Sequence, residues 1–252
     1  MPEIGFQLYS ILPYLDTEEN LEKSLEKVAQ IGYRYVQLQG VPANISDNSI
    51  ASALKKAGLR CIATQEDYPF GFGQDPERAI ERALVCGADY LSFSMIPPQI
   101  NTLDRLKRFA RAIEKIYNKV QKAGLIFAYH PVEIDYRMLG KAPIYDRLLS
   151  LLPEQIQLNF CVHSSFRKVP YTQILEKYQG RVDLIHFMDS VIRSDGAVQF
   201  MPLGEGEHNW KTISDACIQA GAKYIFAEQA HWDRDMFVCA EENYKYLKEL
   251  GL

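Results

Sequence analysis

The chain has 252 residues, 47% of them hydrophobic, and a formal net charge of −4 from 28 basic and 32 acidic side chains. A chain of that size can bury a full α/β core without covalent staples. Its slightly acidic, interspersed charge excludes the concentrated basic stripe that a nucleic-acid surface requires. Its five cysteines are odd in number and form no CxxC pair, which speaks against a disulfide framework and for a reducing, cytoplasmic setting. No apolar run approaches the ~18 residues of a membrane span. The opening MPEIGFQLYS lacks the basic-then-apolar pattern of a secretory leader.

In chain order, the first segment with strand character is Ile4–Tyr9. Thr17, followed by Glu18 and Glu19, caps a helix whose apolar face is Leu21, Leu25, Val28 and Ile31, and Gly32 stops it. Tyr33–Leu38 is the second strand; a helix ending at Gly58 leads to the third, Leu59–Thr64. The aromatic segment Tyr68–Gly73 and a helix ending at Gly87 precede Tyr90–Phe93. The most regular helical pattern sets Leu106, Phe109, Ile113, Ile116 and Val120 on one face and closes at Gly124, before Leu125–Tyr129. Ile156–Phe160, Val182–Phe187 after Gly180, and Tyr224–Ala227 after Gly221 complete the strands. Asn209 caps the helix opening at Trp210, and Phe237, Ala240, Tyr244 and Leu247 mark the last helix.

Eight strands alternating with helices, with no Pro/Ser-rich linker, predict an α/β fold: a closed (β/α)8 TIM barrel forming one domain over residues 1–252. An open doubly wound sheet would usually carry a glycine-rich phosphate loop after its first strand. Here that strand runs into Gln7-Leu8-Tyr9-Ser10.

In such a barrel chemistry gathers where strands end. Strand five ends in His130, with Glu133 and Asp135 in the loop beyond; strand six presents Asn159, Cys161 and His163 by period-two alternation. Strand seven carries His186, and strand eight ends at Glu228. His186, Glu228 and one or both of Asp135 and Glu133 would hold a divalent cation, and mixed N/O donors suit Mn²⁺, Co²⁺, Zn²⁺ or Fe²⁺. Cys161 reads either as a packed small hydrophobe or as a thiolate ligand. A carboxylate such as Glu133, Asp135 or Glu228 would move a proton next to a metal-gripped carbonyl. Substrate contacts fall to His130, His163, Glu205 in the PLGEGEHNW loop, the neutral amides Gln7 and Gln37 with their neighbours Gln39 and Gln65, and rim aromatics including Trp232. Neutral amides suit polyol hydroxyls and bring no charge for a phosphate.

GFQLYS, IGYRYVQLQG, AYHPVEIDY, GRVDLIHFMDS, PLGEGEHNW and AEQAHW together resemble the sugar phosphate isomerase/epimerase superfamily of xylose-isomerase-like barrels, whose members include inosose dehydratases, hydroxypyruvate isomerases and ketose 3-epimerases. The resemblance implies a divalent metal held by two glutamates, an aspartate and a histidine, with His186 on the family histidine and Glu228 on the last glutamate. Asp135 or Glu133 is nearest to the first carboxylate, and Cys161 stands where the family aspartate ends strand six. Met188 replaces a lysine frequent after the strand-seven histidine. The expected activity is isomerisation or epimerisation of a small-molecule sugar or polyol through an enediolate. The alternatives are dehydration of an inosose-like keto-polyol and a metal-free barrel that binds carbohydrate without catalysis. A homo-oligomer is left open.

Overall fold

A computed structural model describes residues 1–252. Eight parallel strands close into a barrel: β1 (Glu3–Gln7), β2 (Tyr35–Leu38), β3 (Arg60–Asp67), β4 (Tyr90–Ser94), β5 (Ile126–His130), β6 (Gln157–Cys161), β7 (Leu184–Phe187) and β8 (Tyr224–Ala227). β1 pairs with both β2 and β8, so no edge is left open. The outer ring is α1 (Glu18–Ile31), α2 (Asp47–Ala57), α3 (Pro76–Val85), α4 (Leu103–Lys122), α5 (Ile144–Leu149), α6 (Tyr171–Lys177), α7 (Trp210–Ala220) and α8 (Met236–Glu249). The predicted single-domain barrel is thus the observed one.

The caps are as the sequence implies. Thr17 accepts from the Asn20 amide and Asn209 from the Thr212 amide. Gly58 and Gly221 end their helices in the left-handed region, where a Cβ would be strained.

Alternation along each strand sorts the side chains into two cores. The larger lies between strands and helices. A smaller one, formed by Ile62, Ala63, Tyr90, Ala128, Leu184 and Phe226 with Tyr35 and Tyr224 packed against it, fills the lower barrel interior. Gly5 belongs to this layer: a Cβ there would lie 2.5 Å from the Phe226 ring. One step further along the same inward positions the residues turn polar: Gln7, Gln37, Gln65, Ser92, His130, Asn159, Cys161, His186 and Glu228. The apolar layer is a floor on which the polar ring stands.

Three local departures from expectation bear on the site. β1 stops at Gln7, and Leu8–Tyr14 continues as tight 3₁₀ turns. β3 runs to Asp67, which places Gln65 within the strand. After β7 the chain forms an antiparallel hairpin, Asp189–Ile192 against Val198–Met201, over a turn containing Asp195 and Gly196. No helix is long and apolar enough to cross a membrane.

Candidate active site

The polar ring at the C-terminal mouth of the barrel is a directed hydrogen-bond lattice. Gln7 Nε2 and Gln65 Nε2 both donate to Gln39 Oε1, at 3.1 and 3.0 Å. Gln65 Oε1 in turn accepts from Gln37 Nε2 at 3.0 Å and from Asn159 Nδ2 at 3.2 Å. That leaves Gln37 Oε1 as an acceptor, and His186 Nε2 fills it at 2.6 Å. Each amide fixes the orientation of the next, so His186 Nε2 is the protonated nitrogen and Nδ1 faces Glu228.

His186 Nδ1 and Glu228 Oε2 lie 2.9 Å apart, outside hydrogen-bond alignment, and neither has another partner. The His130 ring is 4.6 Å from that of His186. Gln65 Nε2 approaches His130 Nδ1 at 3.5 Å, while His130 Nε2 is buried with no partner. Burial, reinforced by the neighbouring His186, holds the His130 pKa well below the ordinary histidine value, so this ring is neutral. Cys161 completes the cluster: its Cα pairs across the β6–β7 ladder with that of His186. Burial, and secondarily the Glu228 charge, pushes its thiol up to about 12.

The mouth therefore assembles Gln7, Gln37, His130, Cys161, His186 and Glu228, and the remaining candidates lie elsewhere. Asp135 is fully buried in a one-turn helix, Glu133–Tyr136, where its carboxylate accepts from the Ile96 amide at 2.9 Å and the Val132 amide at 3.2 Å, with Arg137 at 3.5 Å. Burial raises its pKa to about 6 against those donors. Its oxygens are consumed in tying the β4 and β5 loops together. Glu133 is exposed and paired with Lys168 at 2.7 Å, which lowers its pKa. His163 leaves the strand alternation because Val162–Ser165 turns into a short helix; its Nδ1 meets Ser190 Oγ at 3.0 Å. Glu205 is exposed and takes both its bonds, at 2.9 Å, from Arg234. Trp232 Nε1 donates to the Ser10 carbonyl at 2.5 Å, fastening the β8 loop to the β1 loop.

The divalent cation implied by the sequence can be tested against these donors. Two metal bonds of about 2.1 Å at right angles place their ligand atoms about 3 Å apart. The misaligned contact between His186 Nδ1 and Glu228 Oε2 has that spacing. No third donor joins it, since no group of three or more His, Cys, Asp or Glu side chains could hold an ion. Cys161 offers a protonated thiol, and Asp135 and Glu133 are engaged elsewhere. The residues present do not fit a resident divalent ion.

The model of the family described as xylose isomerase-like TIM barrel matches residues 25–249. The chain belongs to that family. Among solved structures, a sugar phosphate isomerase/epimerase from Parabacteroides distasonis superposes with a TM-score of 0.82 at 17% identity, covering 98% of this chain and 93% of its own. An L-ribulose 3-epimerase gives 0.73 at 14% identity, covering 99% and 94%. An IOLI protein with a bound zinc atom gives 0.75 at 11% identity, covering 98% and 97%. At these identities the likeness is one of fold. No curated protein matches the sequence.

Two members of the mouth carry little sequence signal: Ser92, which accepts from Asn159 Nδ2 at 3.3 Å, and Asp189, the hub beneath the following loop.

All five cysteines are buried and free. Native protein at pH 8 is expected to incorporate no iodoacetamide over minutes, and five equivalents once unfolded, read by intact mass. Rapid native labelling at Cys161 would show that the mouth opens readily.

Proposed function

We propose that this chain binds a neutral sugar or polyol at the barrel mouth and moves a proton beside its carbonyl, as an isomerase or epimerase does, without a resident metal. One observation carries this reading: a carboxylate, Glu228, and a neutral imidazole with an unpaired nitrogen, His130, belong to the same buried polar ring. That pairing divides the labour of enolisation. Glu228 takes the proton from the carbon next to the carbonyl, the C–H electron pair becomes the new C=C bond, and the carbonyl π pair moves to oxygen. Gln65 Nε2 lies toward His130 Nδ1, which leaves His130 Nε2–H free to donate to that oxygen. A neutral imidazole donor beside a carboxylate base is an established solution to this chemistry. Return of the proton to the former carbonyl carbon, while the adjacent hydroxyl gives up its proton to become the new carbonyl and the first oxygen gains one, isomerises the sugar; return to the original carbon after the enediolate has turned its other face to Glu228 epimerises it.

The setting supports the reading. Glu228 retains 8% and His130 5% of their accessible surface, so the reacting groups are held out of bulk water. The amide ring offers carboxamides and no fixed cation, which matches hydroxyls better than phosphates. Family membership supports a small sugar as substrate, in keeping with neighbours described as isomerases and epimerases.

The test is incubation with a panel of ketopentoses and ketohexoses in D₂O containing EDTA, with NMR reading both saturation transfer and deuterium uptake at the carbon beside the carbonyl. Uptake that survives EDTA is the expected result. Binding without uptake would favour a non-catalytic carbohydrate-binding barrel, a reading supported by His186 Nε2 being committed to Gln37 inside the amide lattice. A product lighter by one water from a keto-polyol would indicate dehydration. Absence of both binding and uptake across the panel would remove the sugar assignment.

A further inference from the structure

We infer that Cys161 is the residue that keeps this mouth from holding a divalent cation, and that the His186–Glu228 edge beside it is otherwise framed to take one. The inference rests on the mouth being the functional site, but its test needs no turnover.

The strand register makes the case. In the β6–β7 ladder Cys161 stands opposite His186, and in the β7–β8 ladder Phe226 stands opposite His186, with Glu228 two residues beyond on the same face. Positions 161 and 228 therefore flank His186 from its two neighbouring strands and project to the same interior. An anionic oxygen at 161 would join Nδ1 and Oε2, the two atoms already set 2.9 Å apart.

The supporting frame also has the form a metal-bound histidine needs. Such a ring donates its second N–H to a carbonyl or carboxylate, which fixes tautomer and orientation. Here Gln37 Oε1 receives Nε2–H, and Gln65, Asn159, Gln39 and Gln7 hold Gln37 in that sense. What is lacking is a third donor. A cysteine at this position contributes a small neutral side chain, and no other acid can take its place, because Asp135 is tied to the Ile96 and Val132 amides.

The test uses chelator-stripped full-length protein titrated with Mn²⁺ and, separately, Zn²⁺ by calorimetry, with bound metal counted by mass spectrometry. Wild type and Cys161→Ser are expected to show no saturable site through millimolar metal. Cys161→Asp is expected to bind about one ion per chain, with affinity raised by at least the ~10–100-fold that a single supporting partner is worth. Adding Glu228→Gln to Cys161→Asp should remove that site. Should buried aspartate prevent folding, Cys161→His introduces a donor without a buried charge, and the same gain is expected. Tight binding of one ion by wild type, lost in Cys161→Ser, would overturn the inference by making the thiol a ligand. Folded Cys161→Asp and Cys161→His proteins that bind no better than wild type would overturn it equally. Sugar binding and deuterium uptake are measured separately, so failure of the proposed function would leave the metal result standing, and the reverse.

Discussion

Glu228→Gln is expected to abolish deuterium uptake into a bound ketose while leaving the sugar's affinity within a few-fold of wild type. The substitution preserves length and most of the contact with His186 at the rim, but a carboxamide cannot accept the carbon-bound proton. A positioned general base contributes about 10²–10⁴ in rate, and the loss should fall in that range. Because a group acting only on the reacting proton contributes little to ground-state binding, the effect should appear in the rate constant with the dissociation constant nearly unchanged. His130→Phe provides the contrast. It keeps an aromatic ring beside His186 but removes the unpaired nitrogen, so uptake should fall while the ring's packing is retained. If Glu228→Gln exchanges deuterium at the wild-type rate, the proton goes to another group and the proposed division of labour is wrong.

The polar ring was legible to an unusual depth because it follows from a single rule. Once the alternation of strands and glycine-stopped helices gives a closed barrel, period-two alternation places Gln7, Gln37, His130, Asn159, Cys161, His186 and Glu228 on the interior side near the strand ends. The rule has no force once a strand has ended. Asp135 lies five residues beyond His130 on a one-turn helix, and only the direction of that turn decides that its carboxylate faces the backbone amides of Ile96 and Val132. His163 fails for the same reason, since the helical turn Val162–Ser165 breaks the alternation two residues too soon. The hairpin after β7 did carry a signal, Asp195-Gly196 between apolar pairs, of the kind that marks tight turns. The direction of the amide lattice could not be read at all, because it depends on which carboxamide end meets which neighbour across strands far apart in sequence.

Asp189→Ala is expected to cost more stability than any other single truncation around the mouth, although Asp189 plays no part in the proposed proton transfer. Its fully buried carboxylate gathers five donors. Oδ1 accepts from the Ser190 amide and His208 Nδ1, both at 2.8 Å, and Oδ2 accepts from the Gly204 and Gly206 amides at 3.0 and 3.1 Å and from Trp210 Nε1 at 2.6 Å. Burial raises its pKa, but the donors from His208, Trp210 and Ser190 outweigh that, so the group stays ionised below the usual carboxylate range. The approach is so close that a Cβ on Gly206 would meet Asp189 Oδ1, which explains a glycine in that loop without any need for a special backbone angle. Removing the carboxylate leaves several buried donors unpaired at about 1–3 kcal/mol each. Since neighbouring losses do not add, a total of roughly 4–5 kcal/mol is expected, which for a domain of this size lowers Tm by about 10–20 °C. Asp189→Asn should fall between the two, because one oxygen survives but an amide then faces donors. Thermal unfolding followed by circular dichroism checks both, and a loss of only a degree or two in Asp189→Ala would show that water or rearranged loop groups replace the carboxylate readily. The consequence for the site is indirect but physical. Asp189 anchors the loop Pro202–Asn209 beneath the β7 hairpin, and Glu205 of that loop binds Arg234 beyond β8. The two strand ends that carry His186 and Glu228 thus share one frame, and loosening it should weaken the alignment of that pair before the barrel itself unfolds.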